Sequence, residues 1–152
     1  MGVAALAAAL APHPIIFVDT MVFVYLLEDH PGYGALAAAV MNTVEQGGVT
    51  GVTSMLTLAE LLTGPARASN LTALRDYELY LTNFPNLTLR PIDAAVARRV
   101  ATVRAATGLR TPDAIQLATA QLAGATAVVG NDRGWQGKTG GLALLLLHEF
   151  LA

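Results

Sequence analysis

Five short apolar runs recur along the chain: Ile15-Ile-Phe-Val18, Val49-Thr-Gly-Val52, Leu87-Thr-Leu-Arg90, Ala127-Val-Val129 and Leu142 to Leu147. Consecutive rather than alternating apolar residues suit a strand covered on both faces. Between the runs lie segments with helical spacing, too long for hairpin turns. Strands joined in that way pair in parallel through crossovers, with helices on each side. The expected fold is therefore α/β, a three-layer α/β/α sandwich with a mainly parallel central sheet. Helices are expected over 21–27, 34–46, from a cap at Thr53 or Ser54 to Gly64-Pro65, over 71–82, from a cap at Asp93 to about 107, and from Thr111 to near Gly124.

A chain of 152 residues suits one domain with a real core. The reading divides it into an N-terminal extension, residues 1–14, and a single domain, residues 15–152. The alanine-rich start permits a short helix. It is too short for the ~20 residues of a membrane span and lacks the basic residues that open a signal peptide, so a cytoplasmic protein is expected. Hydrophobic residues make up 54% of the chain and charged ones 13%, which predicts burial on several sides and a partner covering more. The absence of cysteine excludes disulfides, thiolate metal sites and cysteine nucleophiles. A net charge of -2 announces no global basic field for nucleic acid, which leaves local arginine clusters. The densest of these, Arg98, Arg99 and Arg104, reads as the solvated face of a helix.

The acids are placed unusually. Asp19 ends the first strand, where open α/β sheets bind their ligands, although it could equally cap the next helix. Asp132 follows the fourth strand in the polar turn Gly130-Asn-Asp-Arg-Gly134. Glu60 stands alone among Leu58, Leu61 and Leu62. Asp113 lies in the run Leu109-Arg-Thr-Pro-Asp-Ala-Ile-Gln-Leu-Ala-Thr-Ala120, where Thr111 reads as an N-cap and Pro112 as the first helical residue. There Asp113 sits near the positive end of a helix dipole. Taken singly, each acid has a plain structural reading as a cap or an exposed charge. Together, four of the eleven acids occupy apolar or strand-terminal settings where an unpaired charge is costly.

Four converging carboxylates repel and require a cation or shared protons. Oxygen donors without cysteine select a hard ion, Mg2+ or Mn2+. No histidine lies beside these acids in sequence, which argues against zinc.

The segments Val18-Asp-Thr-Met-Val-Phe-Val-Tyr-Leu-Leu27, Leu58-Ala-Glu-Leu-Leu-Thr-Gly64, Arg110-Thr-Pro-Asp-Ala114 and Val129-Gly-Asn-Asp-Arg133 resemble, in order, the four motifs of the PIN domain. Within that family the likeness is to the VapC-type toxins of prokaryotic toxin–antitoxin pairs, and it spans residues 15 to 150. The resemblance implies a metal-dependent endoribonuclease acting on RNA, with a cognate antitoxin partner. It assigns Asp19, Glu60, Asp113 and Asp132 to the metal site and Thr20 and Asn131 to supporting positions. Met21 and Gly130 depart from the pattern, standing where Asn or Ser, and Thr or Ser, are common. The rigid placements of Asp19 and Asp113 suit direct metal ligands, with Glu60 acting directly or through water and Asp132 further out. High apolar content and the apolar C-terminal strand also suggest a homodimer.

Other readings make different demands. A receiver-type phosphoacceptor domain needs a lysine by the pocket, whereas the one lysine, Lys138, lies in a glycine-rich loop. A haloacid-dehalogenase phosphatase needs a second aspartate where Met21 stands. A PIN-like module used only for binding or assembly is the non-enzymatic alternative. Loss of an acid would favour it, and all four are present.

Overall fold

The computed structural model describes residues 2–152 and shows an all-parallel five-stranded sheet, order β3-β2-β1-β4-β5. The strands are β1 (Ile15–Val18), β2 (Thr50–Ser54), β3 (Leu87–Arg90), β4 (Ala127–Gly130) and β5 (Ala143–Leu146). Around them pack α1 (Gly2–Leu10), α2 (Thr20–Leu27), α3 (Gly34–Glu45), α4 (Met55–Arg67), α5 (Leu71–Thr82), α6 (Ala94–Thr107) and α7 (Thr111–Leu122). Successive strand residues point to opposite faces, and the burial of β1 follows that rule. Ile16 and Val18 join a core shared with α1, α2 and α3, whereas Phe17 joins a second core with α6 and α7. In β4, Ala127 and Val129 take the first side and Val128 the second. The continuous apolar runs thus fill both outer interfaces of an α/β/α sandwich.

The order of the strands locates a crevice. From β1 the chain moves outward through β2 to β3, then returns to place β4 on the other side of β1. Connections leaving a strand in opposite directions open a gap at its carboxyl end, where α/β folds hold ligands. Asp19 and Asp132 follow the two strands that flank that gap.

Several boundaries differ from expectation. α4 runs through Gly64-Pro65 to Arg67, with Ala68 N–H bonding to Gly64 O and Asn70 N–H to Pro65 O. A proline removes one amide donor, and this helix continues past that gap. The apolar run at 142–147 yields a four-residue strand that turns into a 3-10 helix at Leu147–Phe150. Within residues 1–14, α1 lies against α3, with Leu6 and Leu10 completely buried. Among the described residues, no helix is long and apolar enough to cross a membrane.

Candidate active site

Three helix N-termini meet at the crevice. Asp19 is the N-cap residue of α2, yet its side chain makes no capping hydrogen bond to that helix. Its own N–H instead prolongs the sheet ladder by bonding to Val129 O at 2.9 Å. Ser54 caps α4, accepting from Thr57 N–H. Asp113 lies in the first turn of α7, but the cap expected at Thr111 is displaced: Arg110 holds the N-cap position and no side chain caps the helix. With the first-turn amides unserved by a cap, the local field favours an anion there. Asp132 caps the short 3-10 helix Arg133–Trp135, its Oδ1 accepting from Gly134 N–H at 2.8 Å.

An open pocket of about 180 Å³ is lined by Asp19, Thr20, Met21, Glu60, Pro112, Asp113, Gln116 and Asp132. All four acids singled out in the sequence therefore border one space, and no basic side chain lines it. Thr20 joins them: its hydroxyl donates to Glu60 Oε1 at 2.9 Å. Asn131 does not line the pocket. Its Nδ2 donates to the Tyr25 hydroxyl at 3.1 Å and its Oδ1 accepts from His148 N–H at 2.9 Å, which ties the loop after β4 to α2 and to the chain beyond β5. A depression of about 290 Å³ beside Arg98, Arg99 and Thr102 is larger but carries no acid.

Beneath the acids lies a buried polar layer that sequence reasoning missed. Gln116 donates from Nε2 toward Thr57 Oγ1 at 2.9 Å, Thr20 Oγ1 at 3.2 Å and Asp19 Oδ1 at 3.3 Å, and its Oε1 accepts from the Ser54 hydroxyl. Thr20 and Thr57 lie 3.0 Å apart. Since the one proton of Thr20 serves Glu60, Thr57 donates in that pair. Thr53 donates to Val18 O at 2.8 Å, joining this layer to the end of β1. The available signal was a glutamine three residues after Asp113 in an otherwise apolar helical stretch, one turn along the same face.

Burial pushes the Asp19 carboxyl up to about 6, against the pull of the adjacent Thr20 backbone N–H and of Gln116. The charges of Glu60 and Asp113 raise it further. An acid pushed upward among like charges, with no basic side chain lining the pocket, would be favoured in its charged form by a cation. Its all-oxygen donor set suits a hard divalent ion. Among the described residues, however, no three acidic or histidine side chains are already gathered closely enough to hold a metal. The acids border one pocket without closing on one point: Thr20 engages Glu60 and Gly134 N–H engages Asp132. Gly130 leaves room beside Asp19, since a Cβ there would meet Asp19 Cβ at 3.3 Å and Oδ2 at 3.4 Å.

The sequence model of the PIN domain family matches residues 16–140. No curated protein matches the chain by sequence. Among solved structures, a toxin–antitoxin complex from Klebsiella pneumoniae is 19% identical with a TM-score of 0.67, covering 87% of this chain and 97% of that one. VapBC2 from Rickettsia felis, bound to a DNA fragment from its promoter, is 18% identical with a TM-score of 0.68, covering 86% and 96%. VapC20 from Mycobacterium tuberculosis, described as a sarcin–ricin-loop cleaving toxin, is 16% identical with a TM-score of 0.60, covering 74% and 86%. At these identities the shared property is the fold.

Proposed function

The chain belongs to the PIN domain family, and from that premise we propose that it is a Mg2+- or Mn2+-dependent endoribonuclease, the toxin of a toxin–antitoxin pair. The observation that carries the reading is the meeting of Asp19, Glu60, Asp113 and Asp132 around one pocket with no basic side chain. A divalent ion held there supplies the positive charge that stabilises a scissile phosphate as negative charge develops on it. Asp19 and Asp113 are its ligands on this reading, each fixed at a helix N-terminus. Glu60 takes a third position, steadied by Thr20. Asp132, on an exposed turn, lies outermost, so its loss is the best tolerated of the four. A water between these carboxylates would be oriented by them for attack on the phosphate.

Partners follow from the same face. A groove of about 160 Å³ runs past Val24, Leu27, Leu61, Pro65 and Tyr77 and shares Glu60 with the acid pocket. An amphipathic antitoxin helix fits such a groove, and a basic side chain from it would reach the acids. The solved toxin–antitoxin complexes of the same fold support this partnership. A cytoplasmic homodimer completes the proposal; sedimentation as a monomer at high concentration would remove the dimer from it.

The decisive assay is cleavage of a mixed RNA pool by the purified protein with Mg2+, with Mn2+ and with EDTA. Cleavage is expected with either metal and not with EDTA. Asp113→Asn preserves shape and removes charge, so a folded variant is expected to be inactive. Wild-type protein that binds antitoxin yet leaves every RNA intact with both metals would favour a binding module instead.

A further inference from the structure

Gln116 is an uncharged side chain buried beneath a group of acids, and its orientation is fixed. The Ser54 hydroxyl accepts from Thr57 N–H and directs its single proton to Gln116 Oε1. Reversing the amide would set Oε1 against the acceptor Asp19 Oδ1 and leave the Ser54 proton facing Nε2. The amide nitrogen therefore faces Asp19, Thr20 and Thr57, with two protons for three acceptors at 2.9 to 3.3 Å. One of the two oxygens of Asp19 is held at Oδ1, while Oδ2 lies beside the space that Gly130 leaves open. The same amide reaches Thr20, whose proton goes to Glu60. Two acids 41 residues apart in sequence are thus joined through one neutral side chain on a third helix.

The charge of this residue matters as much as its reach. A lysine at 116 would neutralise the acids itself and compete with a cation, and a glutamate would add a fifth repelling charge. A glutamine supplies donors without changing the charge of the pocket. Groups that grip ligand carboxylates from behind in this way set metal affinity by orientation.

Resting on the metal-nuclease reading above, we propose that Gln116 is a positioning residue that, clamped by Ser54, holds Asp19 directly and Glu60 through Thr20 in the orientation that receives the divalent ion. It touches neither substrate nor ion.

The test uses Gln116→Met, which keeps side-chain length and removes the amide, beside Leu117→Val, which disturbs the neighbouring buried position without entering this layer. Ser54→Ala serves as a third variant, leaving the amide in place but free to turn. Circular dichroism establishes that each is folded. Calorimetry with Mn2+ alone reads affinity, crystal structures read the Asp19 side chain, and RNA cleavage reads kcat and KM separately. In Gln116→Met, Asp19 is expected to leave its wild-type orientation, with Mn2+ affinity weakened about tenfold. kcat is expected to fall by a similar factor while KM for RNA stays within about twofold, because binding of the remote RNA chain is untouched. Ser54→Ala should shift affinity in the same direction by less, and Leu117→Val should lower stability while leaving affinity alone. Asp19 unmoved in Gln116→Met, or equal Mn2+ affinity in Gln116→Met and Leu117→Val, overturns the proposal. Wild-type protein without RNA cleavage or Mn2+ binding overturns the nuclease reading, and the Asp19 orientation still decides whether Gln116 positions it.

Discussion

The hydroxyl of Thr20 donates to Glu60 Oε1 at 2.9 Å, joining the residue that follows Asp19 to an acid on a different helix. Thr20 is nearly buried and accepts from Gln116 as well. Thr20→Val keeps its shape and strips these bonds. The expected loss is about 1–2 kcal/mol in urea unfolding, with RNA cleavage falling about tenfold as Glu60 is released. Thr20→Ser is expected to restore both. Equal cleavage by the Val and Ser variants would detach this hydroxyl from the chemistry.

Asp19 predicts a dependence on pH. Its folded pKa is about 6, against about 3.9 in an unfolded chain. Between those values the folded protein binds more protons than the unfolded one, so stability decreases as pH rises through that window. In EDTA the decrease from this group is about 3 kcal/mol by neutral pH. Asp19→Asn lacks the charge and escapes the penalty. Its melting temperature, relative to wild type, should climb by several degrees between pH 4 and 7. A difference that stays flat across that range would show that Asp19 is not a buried, raised acid.

Divalent metal should reverse that penalty. At a concentration 100 times its dissociation constant, Mn2+ adds about 2.7 kcal/mol, or roughly 5–10 °C in melting temperature for a chain of this size. Asp113→Asn should lose most of the shift. If EDTA-treated and Mn2+-saturated samples melt together, the four acids do not share an ion.

α1 is expected to stabilise the whole domain. Leu6 is completely buried against α3 and its neighbours, so Leu6→Ala should cost about 2–5 kcal/mol. Ala8→Glu, on the exposed side of the same helix, should cost less than about 0.5 kcal/mol. Equal urea midpoints for the two variants would mean that α1 is only laid on the surface.

Much of this was legible because burial on both faces leaves a direct trace. Ile15–Val18 is apolar at every position, and the strand lies where that run predicts it. The four acids that border the pocket were legible because each stands in an apolar or strand-terminal setting. Gln116 was not: it sits among the same apolar neighbours, but a neutral amide carries no charge to mark it. Its meaning depends on Ser54, 62 residues away. The Thr111 cap failed because the backbone turned one residue earlier, at Arg110. Gly64-Pro65 has the pattern of a helix end, yet the helical bonds beyond it still form. The role of α1 was hidden because alanine permits a helix anywhere, and only packing decides where Leu6 goes.

The position of β1 between β2 and β4 has a consequence during synthesis. Ile16 pairs with Gly51 on one side and with Ala127 on the other. A growing chain can close the first edge early, but the second stays open until β4 has been made. Asp19 therefore leaves the ribosome long before Asp113, Gln116 and Asp132. At about 5–20 residues per second, the interval from Asp19 to Asp132 is roughly 6 to 20 seconds. During that time the four-acid pocket is incomplete, and on the proposed nuclease reading the chain cannot yet cut the message from which it is being read.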